Sequence, residues 1–262
     1  MSLSWWNGRT VPPEEVTVPS DDSGFLFGDG LFETLRVDGG RARDVEAHLD
    51  RLLAGLRRIG INLPESRRVL KLAVEEIATV APLPVARLRI TVTRSTRLIT
   101  TVPYEPPGED LYRQGVPVRL LPEYRIDSRG PLAGLKSLCY QANRLALREA
   151  ESQRGWEALL LNEHGRVVEG TRSNLALVFN KRILTPPTSD GCLPGTVRRR
   201  LLERGALQES PLTVGHLAAA DEVLLMNSLI GVLPVSRIGR REVLQVGSHT
   251  AERLRRVAWP EG

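Results

Sequence analysis

Residues 122–134, PEYRIDSRGPLAG, are polar and marked by glycine and proline, and the chain changes texture across them. That composition is the character of a linker between two folded units. Before it, WWNGRTV reads as a strand and turn around Asn7-Gly8, and Leu31–Val37 as a strand. DVEAHLDRLLAGLRRIGI follows as a helix with Leu49, Leu52, Leu53, Leu56 and Ile59 on its apolar side, and Pro64 opens a second amphipathic helix, ESRRVLKLAVEEIA. VARLRITVTR alternates with period two, Leu88, Ile90 and Val92 against Arg87, Arg89 and Thr91, and a further strand is expected at Val116–Leu121. After the linker, GLKSLCYQANRLALREA reads as a long helix, its stripe formed by Leu135, Leu138, Cys139, Ala142, Leu145 and Ala146. Short strands follow, with turns at 162–165 and 180–182, a short helix at Thr196–Arg204, strands within ADEVLLMNSLIGVLPVSRIG and a terminal helix in SHTAERLRRVAW. The expected fold is α+β in two domains, residues 1–121 and 135–262, joined by 122–134, with Lys136 near a crevice between them.

Composition narrows the function classes. A chain of 262 residues with 41% hydrophobic content can bury a substantial core. MSLSWWNGRTV lacks a basic start followed by an apolar run, and no stretch approaches the roughly 18 apolar residues of a membrane span, so a cytoplasmic protein with no membrane contact is expected. Cys139 and Cys192 stand outside any CxxC or Cys/His cluster, which argues against a disulfide framework or a structural metal. The formal charge of +5 comes from dispersed arginines; RRR at 198–200 has no nucleic-acid-binding motif around it. A mild positive excess suits an anionic small-molecule substrate.

Several residues carry possible chemistry. A desolvated lysine near other cations has a lowered pKa and is available for a covalent bond to a carbonyl compound, and Lys136 follows the Pro131–Gly134 turn without an acidic residue three or four positions away. Pyridoxal phosphate uses such a lysine, together with an acid against its pyridine nitrogen and donors around its phosphate. Glu169 stands before a glycine turn in VVEGTRSNLALVF, and CLPGTVRRRLLE puts Gly195, Thr196 and Val197 at a helix start, where backbone N–H groups and the helix dipole favour an anion. Arg51 would add a charged fork to the phosphate. Each has a plainer alternative: Lys136 as a solvated surface group, Glu169 paired with Arg172, the Pro194–Thr196 turn as a helix start and nothing more, and His48 as a helix-face residue making an indirect contact.

The ordered set FGDGLFETLR, HLDRLL, GLKSLCYQANRLALREA, VVEGTRSNLALVF, LPGTVRRRLLE and EVLLMNSLIGVLPV resembles the branched-chain aminotransferase-like, fold type IV family of pyridoxal-phosphate enzymes, over about Gly8–Ile238. That family includes branched-chain and D-amino-acid aminotransferases and 4-amino-4-deoxychorismate lyases. The resemblance implies a two-domain, D-amino-acid aminotransferase-like fold, pyridoxal 5'-phosphate as cofactor and a homodimer. It matches Lys136 to the lysine that carries the cofactor and shuttles the proton, Glu169 to the carboxylate on the pyridine nitrogen, and Arg51, Thr196 and Val197 to the phosphate site. Asn227 and Ser228 match a late loop contacting phosphate or substrate, and Tyr140 an aromatic beside the ring. Where transaminases of the family carry a TGTA-like segment, this chain has NSLIGVLPV, which looks like the lyases and implies release of pyruvate and 4-aminobenzoate in folate synthesis; the alternative is transamination of D- or branched-chain amino acids. VTRSTRLITTVP has Ser95 where glycine is common, and Arg97, or else Arg94, is the candidate for holding a substrate carboxylate.

Overall fold

A computed structural model describes residues 3–243, 246 and 249–259. The chain divides into two compact units, Met1–Pro106 with Leu135–Tyr140, and Pro107–Gly134 with Gln141–Gly262.

In the first unit, β1 (Ser4–Trp6) and β2 (Arg9–Val11) form a hairpin, followed by α1 (Ser23–Phe27), β3 (Gly30–Asp38) and β4 (Arg41–Ala42). Then come α2 (Val45–Arg58), α3 (Arg67–Thr79), β5 (Val85–Thr93) and β6 (Arg97–Pro103). Asn7 and Gly8 both take positive φ, the two-residue turn expected of an Asn-Gly pair. The strands make an antiparallel sheet in the order β2-β1-β6-β5-β3-β4. Because side chains alternate along a strand, Leu35, Leu88, Ile90 and Val92 face one side, where Leu49, Leu52 and Leu56 of α2 and Leu70, Val74 and Ile77 of α3 close the core. Each of these fully buried leucines contributes roughly 2 kcal/mol. The second helix begins at Arg67, after the capping residue Ser66, whose side chain accepts from Val69 N, rather than at Pro64, because the serine hydroxyl satisfies a backbone N–H of the first turn and proline has no side-chain acceptor to do so.

The second unit runs α4 (Glu109–Gln114), β7 (Val116–Ile126), α5 (Gln141–Ser152), β8 (Glu157–Asn162), β9 (Arg166–Gly170), β10 (Asn174–Phe179) and β11 (Arg182–Thr185). It continues with α6 (Thr196–Glu203), β12 (Gln208–Glu209), β13 (Leu212–Thr213) and α7 (Val214–Ala219). Last come β14 (Glu222–Asn227), β15 (Gly231–Ile238), β16 (Arg241–Glu242) and α8 (His249–Ala258). The main strand order is β12-β11-β10-β14-β15-β7-β8-β9-β13. The strand β9 also pairs with β10, Glu169 opposite Asn174, so the sheet returns on itself at that position. The terminal helix is present, with Ser248 of the expected segment outside the described residues.

Four expectations are corrected. The long helix begins only at Gln141. Residues 135–140 are extended against β3: Phe32 N donates to Lys136 O at 2.9 Å, Leu138 N donates to Gly30 O at 3.0 Å, and Leu31 bridges Ser137. Lys136 therefore belongs to the first unit, not to a domain spanning 135–262. The expected linker is part strand, because β7 continues through Pro122 to Ile126 across an irregularity in its pairing with β8. That strand, expected to end the first domain, lies between β15 and β8 of the second unit. Among the described residues, no helix is long and apolar enough to cross a membrane, and no group of His, Cys, Asp and Glu could hold a metal ion.

Candidate active site

On the first unit, Lys136 sits on the extended segment that β3 holds in place, and its Nζ lies 4.7 Å from the centroid of Phe32. Tyr140 meets the same ring edge-on, centroids 5.3 Å apart, and its own centroid is 5.9 Å from Lys136 Nζ. The structure thus brings Tyr140 beside Lys136. The segment approaches closely at two glycines: a Cβ on Gly28 would lie 2.7 Å from Cys139 Sγ, and one on Gly30 2.8 Å from Leu138 Cδ1. These contacts explain why FGDG precedes the strand; side chains there would push 135–140 away.

Glu33, the next residue along β3, projects to the opposite, helix-covered face. Its carboxylate is buried and accepts from Arg51 Nε at 2.8 Å and Nη2 at 2.6 Å, a two-point fork, while His48 Nδ1 stands 2.6 Å from Oε2. Burial opposes ionisation of Glu33, but the Arg51 charge and hydrogen bonds, with His48, outweigh it and hold its pKa down to about 2. Burial pushes the His48 pKa down, against the pull of Glu33. Arg51 is therefore a guanidinium whose orientation is set by a buried carboxylate. Neither Glu33 nor the role of His48 in this cluster follows from local sequence, since the partners lie 15 and 18 residues apart.

The two arginines expected to hold a substrate carboxylate are otherwise engaged. Arg97 pairs with Glu65, Nη2 to Oε1 at 2.9 Å, and Arg94 pairs with Asp29, Nε to Oδ2 at 2.7 Å, while also donating to Gly60 O at 3.2 Å.

On the second unit, Glu169 stands opposite Leu160 of β8 and Asn174 of β10, at the closure of the sheet. Its Oε2 accepts from Leu193 N at 3.0 Å and Asn174 Nδ2 at 3.1 Å; Asn174 Nδ2 also reaches Leu193 O at 2.8 Å. Two donors therefore hold one oxygen of the carboxylate in place. Thr196 is the first residue of α6, which has no side-chain cap, and Gly195 precedes it. Val197 packs its side chain among Ala176, Val178 and Leu201, so what it offers a ligand is backbone N–H. Asn227 ends β14: its Oδ1 accepts from Leu229 N at 2.8 Å and Ile230 N at 3.0 Å, and its Nδ2 donates to Arg172 O at 3.1 Å. Ser228 follows in the turn that these bonds shape.

A buried carboxylate missed from the sequence, Glu157, pins the neighbouring turn. It accepts from Thr171 N at 3.1 Å, Thr171 Oγ1 and Ser173 Oγ at 3.0 Å, and its burial pushes its pKa up against the pull of Arg172. A lone glutamate inside the apolar run WEALLLN was the available signal.

These residues fit pyridoxal phosphate. A lysine beside aromatic rings, an oriented carboxylate, and a helix start whose Gly195 has no room for a Cβ are the groups such a cofactor requires. The class defined by this fold is the fold type IV pyridoxal-phosphate enzymes, a mixed α/β architecture with two sheets. Residues 30–238 match the family described as amino-transferase class IV, and the chain belongs to that family. It is 29% identical to a D-alanine aminotransferase of Bacillus licheniformis, over 89% of this chain and 87% of that protein. The structure of a 4-amino-4-deoxychorismate lyase from Pseudomonas aeruginosa is 31% identical, with a TM-score of 0.82 over 97% of this chain and 98% of that one. The structure of a hypothetical aminotransferase of Mycobacterium tuberculosis in its PLP-bound form is 26% identical, with a TM-score of 0.86, over 98% and 97% of the two chains. Pyridoxal phosphate is the cofactor.

Proposed function

We propose that the chain is a 4-amino-4-deoxychorismate lyase. When bound, pyridoxal phosphate supplies an electron sink conjugated to the substrate's amine-bearing carbon. Lys136 would hold the cofactor covalently at rest, would be freed when the substrate amine takes its place, would take the proton from that carbon, and would return to its place as the product amine leaves. Glu169 keeps the pyridine nitrogen protonated, which lets negative charge leave the reacting carbon. Arg51, set by Glu33, and the α6 start at Thr196 and Val197 bind the phosphate, while Asn227 and Ser228 shape the turn beside it. The carbon–oxygen bond to the enolpyruvyl group then breaks, with its electron pair leaving on oxygen. The departing enolpyruvate takes a proton to become pyruvate, and the aromatic ring of 4-aminobenzoate remains.

The observation that carries the lyase outcome is the turn after β14. Asn227, Ser228 and Leu229 replace the Thr-Gly-Thr pattern of transaminases, and Asn227 closes the turn with its own side chain. The similarity to the Pseudomonas lyase over nearly both whole chains supports it. A second reading, transamination of a D- or branched-chain amino acid, is favoured by the D-alanine aminotransferase relative. We further propose a homodimer, because Phe25 and Phe27 of α1 are 72% and 76% exposed and a second copy would cover them.

The two outcomes separate on one assay. Holoenzyme with 4-amino-4-deoxychorismate and no keto acid should release 4-aminobenzoate and pyruvate in equal amounts. Keto-acid formation from D-alanine or L-leucine that requires 2-oxoglutarate, with no 4-aminobenzoate, would establish the second reading instead.

A further inference from the structure

We infer that Tyr112, on α4, is a positioning residue for the turn between β14 and β15, and through it for the outcome of the reaction; this rests on the lyase reading of that turn. Asn227 stands opposite Gly231 at the end of the β14–β15 ladder, so Ser228, Leu229 and Ile230 reverse the chain. Asn227 Oδ1 satisfies two N–H groups of the turn, those of Leu229 and Ile230. A carbonyl of the turn is met from elsewhere: Tyr112 Oη donates to Ile230 O at 2.9 Å, from 118 positions earlier in the chain. Ile230 is buried, and Tyr112 and Leu229 pack against the same cluster.

Tyr112 is itself held. The Arg255 guanidinium of α8 lies over its ring, 4.3 Å from the centroid, and Arg255 Nη1 reaches 3.5 Å from Glu109 Oε1, one helical turn before Tyr112 on α4. Just past its end α8 meets the turn again: Gly231 has a φ of +65°, and a Cβ there would lie 3.2 Å from the Trp259 ring. The turn is thus gripped by Asn227 from within and by α4 and α8 from outside. A hydroxyl on a clamped ring accepts one placement of the carbonyl it bonds, whereas water in its stead would follow the turn as it shifts. Displacement would also spread, because Asn227 Nδ2 donates to Arg172 O at 3.1 Å, in the loop between Glu169 and Asn174. Elimination and amine transfer begin with removal of the same proton, so what surrounds the substrate afterwards decides between them. Tyr112 would fix that surrounding where this chain departs from the transaminase pattern.

The test gives holoenzyme 4-amino-4-deoxychorismate together with 2-oxoglutarate and measures the ratio of 4-aminobenzoate to glutamate formed. Loss of folded enzyme lowers both products equally and leaves that ratio alone. Tyr112→Phe removes only the hydroxyl and should lower the ratio about fivefold, the worth of one hydrogen bond, with Arg255→Met lowering it less. Tyr124→Phe removes the same group from a bond to Glu149 elsewhere in the second unit and should leave the ratio within about twofold. Apart from turnover, amide hydrogen exchange in the peptide spanning residues 228–231 should be about fivefold faster in Tyr112→Phe. An unchanged ratio or unchanged exchange in Tyr112→Phe, or an equal fall in Tyr124→Phe, overturns the inference. A wild-type enzyme that makes no 4-aminobenzoate overturns the lyase reading alone. The positioning role is then read from the amino donor the enzyme does use, and an unchanged kcat/KM in Tyr112→Phe overturns it.

Discussion

Asn174 occupies the space where a side chain on residue 195 would begin: a Cβ on Gly195 would lie 1.9 Å from Asn174 Oδ1. Through its Nδ2 the same amide holds Glu169 and Leu193 O. One side chain therefore links the proposed ring-nitrogen carboxylate to the proposed phosphate site, and only glycine at 195 allows it.

Gly195→Ala should force Asn174 out of place and weaken pyridoxal-phosphate binding about tenfold or more, read by titrating apoenzyme with cofactor. Gly108→Ala, where an added Cβ meets nothing within 4 Å, should leave the affinity unchanged. Equal affinities for the two variants would show that the Asn174–Gly195 contact does not shape the cofactor site.

Glu169→Gln keeps an oxygen able to accept from Leu193 N but removes the negative charge. Cofactor affinity should fall by less than about tenfold, because the phosphate contacts remain, whereas turnover should fall about 100-fold or more. The two are measured separately, by equilibrium titration and by single-turnover proton exchange at the substrate's amine-bearing carbon. Unchanged turnover would make Glu169 a structural carboxylate.

The Glu33 cluster makes the first unit acid-sensitive. The folded pKa of Glu33, about 2, lies below its ordinary 4.5, so the stabilisation is complete above about pH 4.5 and is lost as pH falls towards 2. Its size is on the order of 3 kcal/mol. His48 acts in the same direction: its folded pKa is below 6.5, so below that pH the unfolded chain takes up a proton that the folded chain resists. Unfolding free energies from pH 6 to pH 2 should fall more steeply for wild type than for Glu33→Gln. Parallel acid limbs would contradict the coupling of Glu33 to Arg51.

Local pattern was enough for the Asn7-Gly8 hairpin, α2, β5 and the α6 start, because each is dictated by residues close in sequence. It failed where distant pairing wins. Leu135, Leu138 and Cys139 have helical spacing, yet Leu135 packs on the first core and Leu138 lies beside Gly30, a hundred positions earlier, so the segment is extended. Pro122 looked like a linker residue because proline disfavours central strands, but the irregular pairing between β7 and β8 accommodates it. The partners of Arg97 and Arg94 are 32 and 65 residues away, so their engagement could not be read from VTRSTR. Phe32 had no polar signature to mark it as the ring shared by Lys136 and Tyr140.

The central claim is that Lys136 carries the cofactor, and reduction of the holoenzyme with borohydride tests it most directly. The reduced cofactor becomes permanently bonded to its lysine, and peptide mapping by mass spectrometry locates it. The added mass is expected on the peptide containing Leu135, Lys136 and Ser137, and Lys136→Ala should take up none. Attachment at Lys71, at Lys181, or in the Lys136→Ala variant would contradict the account.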